Sequence, residues 1–425
     1  MYLAPLNYDH FFAKAIMRIF IFFSLFLIMF EAFSQDPVAL KYYETGNAEW
    51  KAGDLDKALE NFNKCIEAER GFLPAYFKRG IVQYDLKLYK EALYDLNIVT
   101  EVDSINPLGH YYRGLINNNL KEYEDALNDF DMAIELKPDY IDAYNKRAIT
   151  LDFLGRYQLA VEDYTKAIKL DPKNVYYYVD RALSYSNVEK YKEAVADFTQ
   201  VITLKPDMEE AYYERAMILT NMGDFVNATK DYTKLLTLKP NEAIYHKGMG
   251  DVHLKNNKLP LALKSYSRAI ELQPQNGNYY NTRSYVYDLM KDYLSAIKDL
   301  DKAIELTPDL AEAYYNRGVI NERQGRYESA ILDYNEALLI NEEKFHWHYT
   351  RGRAYFKIKK YEEAESDFER TVAIDDTHWE AYKGLAQIAE AKGRRAKAKE
   401  LYQKVLKINA KDTEAKAKVA EWSKK

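Results

Sequence analysis

Residues 107–140 read PLGHYYRGLINNNLKEYEDALNDFDMAIELKPDY, and residues 141–174 read IDAYNKRAITLDFLGRYQLAVEDYTKAIKLDPKN. Laid one above the other, they place Gly114 over Ala148, Ala126 over Ala160, Phe130 over Tyr164 and Pro138 over Pro172. Self-similarity at a fixed spacing of this length is the mark of a repeat array, because each unit hides its apolar face only against the next. Carried outward in both directions, the same register begins at Ala39 and gives eleven units of 34 residues. They run 39–72, 73–106, 107–140, 141–174, 175–208, 209–242, 243–276, 277–310, 311–344, 345–378 and 379–412, with no inserted or deleted residue.

Three positions define the unit. Repeat position 8 is always small, from Gly46 to Ala386, and position 20 is Ala in all eleven repeats, from Ala58 to Ala398. Small residues at fixed places on successive segments let two helices cross closely, where a larger side chain would hold them apart. Position 24 is large throughout (Phe62, Leu96, Phe130, Tyr164, Phe198, Tyr232, Tyr266, Leu300, Tyr334, Phe368 and Tyr402). It follows the Ala by four residues and so shares its helix face, which makes it core. Position 32 is Pro in six consecutive repeats, Pro138 to Pro308. There it stops the second helix, and the adjacent Asp or Asn is expected to cap the next one. Pro260 falls in the first turn of a second helix, where a missing N–H is tolerated.

A large aromatic, a small residue, Ala-x3-aromatic and then Pro, at period 34, resembles the tetratricopeptide repeat (TPR). The resemblance covers 39–412. It implies an all-α fold, a right-handed superhelical α-solenoid of eleven helix-turn-helix repeats whose first helices line a concave groove. Residues 413–425, with Trp422, are expected to form the C-terminal capping helix that covers the last apolar face.

One departure from the family pattern is systematic. Position 7, commonly Leu, is Arg in eight repeats: Arg79, Arg113, Arg147, Arg181, Arg215, Arg283, Arg317 and Arg351. Position 23 is Asp in the same eight: Asp95, Asp129, Asp163, Asp197, Asp231, Asp299, Asp333 and Asp367. Where the Arg is absent (Thr45, Met249, Leu385), the acid is absent too (Asn61, Ser265, Leu401). Joint loss within one chain predicts a ladder of paired contacts between first and second helices, inside a repeat or across a repeat boundary. Each Arg brings its own acid, which argues against a basic groove for phosphate ligands. Repeat 7 (243–276) interrupts the ladder and holds Pro260, His246 and His253. A softer joint there is one reading and neutral drift is the other.

The remaining composition fits an all-helical array. The 425 residues include 39 Tyr but only 16 Gly and 11 Pro. The net charge is −6. Residues 379–425 carry 13 Lys/Arg against 6 Asp/Glu, leaving the body 35–378 acidic, so no nucleic-acid-binding body is expected. At the N-terminus, Met17-Arg18, the apolar run Ile19 to Phe30 and Ala32-Phe33-Ser34 have the layout of a secretory signal. The run is too short to span a bilayer. The expected organisation is an N-terminal extension and signal over 1–34 cleaved after Ser34, a linker over 35–38, the repeats and the cap. Translation is expected to start at Met17 instead of Met1. A secreted or periplasmic protein follows, with no stable membrane insertion after cleavage; the alternative is an anchor retained by an uncleaved signal. The single Cys65 precludes an internal disulfide and, at a position elsewhere small or apolar, reads as core.

No phosphate loop, nucleophile elbow or carboxylate pair stands apart from the repeat. His110, His246 and His348 occupy position 4, where the other repeats have Tyr, and read as packing substitutes, so no metal or other cofactor is expected. The reading is therefore not an enzyme. By the resemblance, positions 2, 5, 9, 12 and 13 of the first helix face the groove. Position 5 reads Tyr43, Phe77, Tyr111, Asn145, Val179, Tyr213, Lys247, Asn281, Tyr315, Tyr349 and Lys383, an aromatic row with polar interruptions suited to extended peptides. Packing of these rings on neighbouring helices is the competing reading. Position 12 adds Asn118, Asp152, Ser186, Thr220, Asp288 and Glu322, a mildly acidic middle. The Lys-Asn-Asn-Lys-Arg set of chaperone-tail-binding members is not reproduced. The expected partners are other polypeptides and the expected function is a peptide-binding or assembly scaffold in the cell envelope; the alternative is a regulatory subunit of an envelope enzyme, glycan-related among the options.

Overall fold

A computed structural model describes residues 36–423, all of them helix or short connection. The expected signal, its cleavage after Ser34 and the translation start lie outside the described residues. The first helix, Pro37–Lys51, is capped by the Asp36 side chain at the Val38 N–H, so the expected linker 35–38 already contains the start of repeat 1. Pro at a first helical position costs nothing, since its missing N–H has no partner there in any case, and this extends the helix two residues ahead of Ala39. The described residues contain 23 helices and no strand.

Two compact units divide the chain. In the first, ending at Pro206, ten helices form repeats 1 to 5, each hairpin packed on the next. The second, Asp207 to the C-terminus, holds repeats 6 to 11 and a last helix, Thr413–Ser423, that packs on Arg395–Ile408. In both units the architecture is an all-α solenoid.

Within a repeat, the residue at position 15 turns the chain. It has positive φ in all eleven repeats, as Gly in five (Gly53, Gly155, Gly223, Gly325, Gly393) and as Lys, Glu or Asn in six. The next N–H then reaches five residues back, as in Glu122 to the Asn117 carbonyl at 2.9 Å, closing a Schellman-type stop. Second helices end at position 30 whether or not Pro follows, as Leu136 before Pro138 and Ile340 before Glu342 show. Proline reinforces a stop that the packing already sets. The expected cap beside it is corrected: Asn106, Asn174 and Asn276 at position 34 cap the following helix, while no side-chain cap is made before helices Ile141–Phe153 and Ala311–Arg323, where Asp139 and Asp309 were expected to serve.

The same two positions build the core in every repeat. Every position 20 Ala is fully buried, and the position 24 side chains are at most 3% exposed. Position 24 fills the socket left by position 8 of its own repeat: a Cβ placed on Gly114 would lie 2.7 Å from Phe130 Cε1. At the C-terminal end, Ala415, Val419 and Trp422 cover the last repeat, with Trp422 6.0 Å from the Tyr402 ring. Cys65 is fully buried beside Ala39 and Phe72, and burial pushes its thiol up to about 11. We expect no reaction of the native chain with an aromatic disulfide reagent at pH 8 and one thiol titrated per chain in denaturant. Stoichiometric labelling of the native chain within minutes would contradict this packing.

Candidate functional site

The ion pairs and the first-helix surface are built by the same periodicity. Position 7 points from the first helix at position 23 of the second helix in its own repeat, sixteen residues on. All eight Arg meet their Asp there. Arg79 donates through Nε and Nη2 to the two Asp95 carboxylate oxygens, both at 2.7 Å, and Arg283 holds Asp299 the same way at 2.7 and 2.8 Å. This two-point fork is the strong form of the contact. The Asp side chains are 1–8% exposed and the Arg side chains 15–25%. Burial pushes the Asp95 and Asp163 carboxyls up against the pull of Arg79 and Arg147.

The third guanidinium donor goes to a partner that sequence reading missed. Nη1 of Arg79 donates to Asn63 Oδ1 at 2.8 Å, Arg181 to Thr165 at 2.9 Å, Arg283 to Ser267 at 3.0 Å and Arg351 to Asn335 at 2.8 Å. Arg147 reaches Asp131, and Arg317 reaches Asp301 at 2.7 Å. Each acceptor is position 25 of the preceding repeat. One Arg thus ties two second helices together across the seam. The available signal was that position 25 is polar in every repeat, from Asn63 to Gln403.

Position 4 completes the seam. Tyr144 and Tyr178 carry the Arg147 and Arg181 guanidinium groups over their rings, and their hydroxyls donate to the carbonyls of Pro138 and Pro172. His110, His246 and His348 bring Nε2 to the equivalent carbonyls of Ser104, Pro240 and Glu342 at 2.9–3.0 Å. They occupy the tyrosine's place and make the tyrosine's contact. Among the described residues no group of three or more His, Cys, Asp or Glu is placed to hold a metal ion.

The position 5 row divides. Tyr111 is 9% exposed and packed on Tyr112, Phe130 and Tyr140, so here the expected groove residue serves the core. Tyr43, Phe77, Tyr213, Tyr315 and Tyr349 are half-buried, Phe77, Tyr213 and Tyr315 against rings of the following repeat and Tyr43 and Tyr349 against rings of their own. Tyr43 meets Phe62 and Phe72, Phe77 meets Tyr112, and Tyr213 meets Tyr232 and Tyr245. Tyr315 stacks on Trp347 at 5.1 Å, and Tyr349 lies 4.5 Å from the His378 ring. Asn281 Oδ1 accepts from Asn316 at 3.0 Å. Asn145 keeps a buried Oδ1 with no hydrogen-bond partner.

Of the acids expected to colour the middle of the groove, Glu322 and Asp288 are paired with arginines and Asp152 is held by neutral hydroxyls, which narrows the acidic reading. Asp152 accepts from the Tyr164 hydroxyl at 2.9 Å and from Ser184 at 2.8 Å. Glu322 accepts from Tyr334 at 2.9 Å and Arg353 at 3.0 Å, and Asp288 is held by Arg323. Several apolar side chains stay open on the first helices, beside exposed acids at position 2 such as Asp142, Glu210 and Glu312. Tyr176 (position 2) is 58% exposed, Tyr285 (position 9) 50% and Phe153 (position 13) 70%, with Leu183 and Met217 also exposed at position 9. The basic C-terminal end is partly neutralised by Lys383 with Asp412 and Glu414, and by Lys392 with Glu365. Among the described residues no helix is long and apolar enough to cross a membrane.

Comparison with known families agrees with this periodicity. Tetratricopeptide repeat models match residues 43–99, 107–140, 141–174, 163–196, 209–242, 311–344 and 356–421, and a TPR repeat model matches 289–325. Four of these intervals, 107–140, 141–174, 209–242 and 311–344, coincide with repeats read from the sequence. No curated protein sequence matches the chain. Among solved structures, a tetratricopeptide repeat protein from Parabacteroides merdae is 19% identical over 58% of this chain and 97% of its own, with a TM-score of 0.49. Yeast Tom70 is 16% identical over 92% of this chain and 96% of its own (TM-score 0.45), and MamA is 25% identical over 40% and 92% (TM-score 0.38).

Proposed function

The chain belongs to the tetratricopeptide repeat family, and from that premise we propose that it is a non-catalytic scaffold of the cell envelope that holds segments of other polypeptides against its first helices. The observation that carries the reading is the use to which side chains are put. The buried ionisable groups of the ladder, the seams and the hydroxyl–carboxylate pairs are spent on internal contacts, while rings and aliphatic side chains at positions 2, 9 and 13 remain exposed. Such a surface offers extended apolar contact area, which suits an extended peptide better than a small molecule. The envelope location rests on the signal-like residues 17–34, and N-terminal sequencing of the mature chain tests it: a first residue other than Gln35 removes the expected cleavage.

The test of binding must avoid the seams. Truncating Tyr315 would unstack Trp347 and confound affinity with stability. Leu183→Ser and Tyr285→Ser instead change exposed position 9 side chains. We expect affinity capture from an envelope extract to lose its main partner, by about fivefold or more, with the double variant while the thermal midpoint is unchanged. The same partner captured in equal amount by the double variant would remove the first-helix surface as the site.

A further inference from the structure

Repeats 6 and 7 meet without the ladder. Met249 stands where neighbouring repeats carry Arg, and Gly248 precedes it. A Cβ on Gly248 would lie 2.4 Å from Cε1 and Cζ of Tyr232, so the ring of repeat 6 fills the space that a position 6 side chain of repeat 7 would need. Tyr232 is also unlike its equivalents at the tip. Tyr164, Tyr266 and Tyr334 donate to Asp152, Asp251 and Glu322 on their own first helices. Repeat 6 offers Met217 and Thr220 at those positions, and the Thr220 hydroxyl already donates to the Ala216 carbonyl at 2.6 Å. The Tyr232 side chain, 2% exposed, therefore has no carboxylate of its own repeat at those two positions to receive its hydroxyl.

Beside it lies a cavity of about 180 Å³, walled by Met217, Thr220, Asn221 and Leu254 with Tyr232, and rimmed by Asp251 and Lys255. The lining comes from positions 9, 12 and 13 of two successive first helices, on the surface assigned above to peptide. At the rim Asp251 is paired with Lys247 at 2.7 Å, and Lys255 donates to the neutral Asn221 amide oxygen at 2.6 Å. Met217, Leu254 and the Tyr232 ring give the cavity an apolar wall, with the polar groups at its edge. A dry cavity of roughly 150 Å³ is enough to hold a benzene ring, so a Phe, Leu or Met side chain fits this one.

The same helix carries a second feature. Glu210, Glu214, Met217 and Asn221 fall at i, i+4, i+7 and i+11 and so share one face. Neither Glu210 nor Glu214 forms an ion pair among the described residues, and Glu214 is half-buried, with its carboxyl pushed up by that burial and then by Glu210. From Glu214 to the cavity mouth is about five residues of helix, roughly 7 Å, which two residues of extended chain span.

We propose that repeats 6 and 7 form a subsite for an extended peptide that places a bulky apolar side chain in this cavity and a Lys or Arg, two residues away, at Glu210 and Glu214. The proposal rests on the peptide-holding reading above and adds the chemistry of the ligand.

The test uses the whole mature chain labelled at methionine methyls, with the Met217 signal assigned through Met217→Leu. The probe is a blocked Gly/Ser heptapeptide bearing one Arg and, two residues on, one Phe. We expect a saturable shift of the Met217 methyl, at least about tenfold weaker binding when Phe is replaced by Ala, and about two- to fivefold weaker binding when Arg is replaced by Glu. Glu214→Gln should erase most of the second difference and leave the first. An unmoved Met217 methyl, or equal affinity for all three peptides, overturns the subsite. Shifts confined to a distant methyl such as Met290 would overturn it too, while leaving peptide binding by the array intact.

Discussion

Asp95→Ala is expected to lower the stability of the first unit by about 3–5 kcal/mol, because it leaves the Arg79 guanidinium largely buried with only the neutral Asn63 amide oxygen as its charge-free partner. Asp163→Ala should cost less, about 1–3 kcal/mol, since Arg147 retains Asp131 across the seam as a second carboxylate. The order matters more than either figure, for it follows from which acceptor stands at position 25. Removing both charges, as Arg79→Met with Asp95→Leu, should return most of the loss, because a buried pair and a well-packed apolar pair differ little. Urea unfolding together with amide exchange across repeats 1 to 5 measures all three, and exchange locates the loss where a single midpoint would average it over an array. Losses below about 0.5 kcal/mol for both single variants would put the pairs effectively in solvent, and equal large losses would deny Asp131 its share.

These pairs also show which parts of a repeat can be read without coordinates. The fork between positions 7 and 23 left a trace because both sides demand one residue type: a bidentate contact to Arg needs a carboxylate, and Arg79 and Asp95 therefore appear and vanish together along the chain. The seam contact left almost none. Asn63, Thr165, Ser267 and Asp301 accept from the same Nη1 because any oxygen at that point suffices. The left-handed residue at position 15 was equally hidden, since six of its eleven occupants are Lys, Glu or Asn, held there by the Schellman bonds and exposed enough to bear the strain.

The first-helix surface was harder still, for a geometric reason. Position 5 lies at the edge between the groove side and the next repeat, so its ring can turn either way at little cost. Tyr111 turns fully inward on Phe130 and Tyr140, whereas Tyr349 stays half-buried beside His378. Aromatic periodicity gives the helix face but not the side-chain direction. The acids at position 12 misled for a related reason: a carboxylate next to a buried tyrosine hydroxyl, as in Asp152 with Tyr164, looks identical in sequence to one that awaits a ligand.

Gly248→Ala is expected to destabilise the second unit by about 1–3 kcal/mol, although replacing Gly by Ala within a helix ordinarily gains nearly 1 kcal/mol. The sign is decided by Tyr232. Its Cε1, Cζ and hydroxyl lie 2.4–2.5 Å from where the new methyl would sit, and the ring, 2% exposed, could yield only by moving into the cavity that it walls with Met217 and Leu254. The coupling makes the prediction sharp: in a Tyr232→Leu background the clash is gone, and the same Gly248→Ala change should become neutral or stabilising. Gly384 against Phe368, at 2.5 Å, is the parallel case at the other break in the ladder and should behave alike. Two of the three repeats without the position 7 Arg thus carry Gly at position 6 and take a ring from the repeat before, which replaces a charged tie by a fitted apolar one. A stabilising Gly248→Ala in the unaltered chain would mean that Tyr232 moves freely, and a ring that moves freely could neither set the joint between these repeats nor keep the adjoining cavity open.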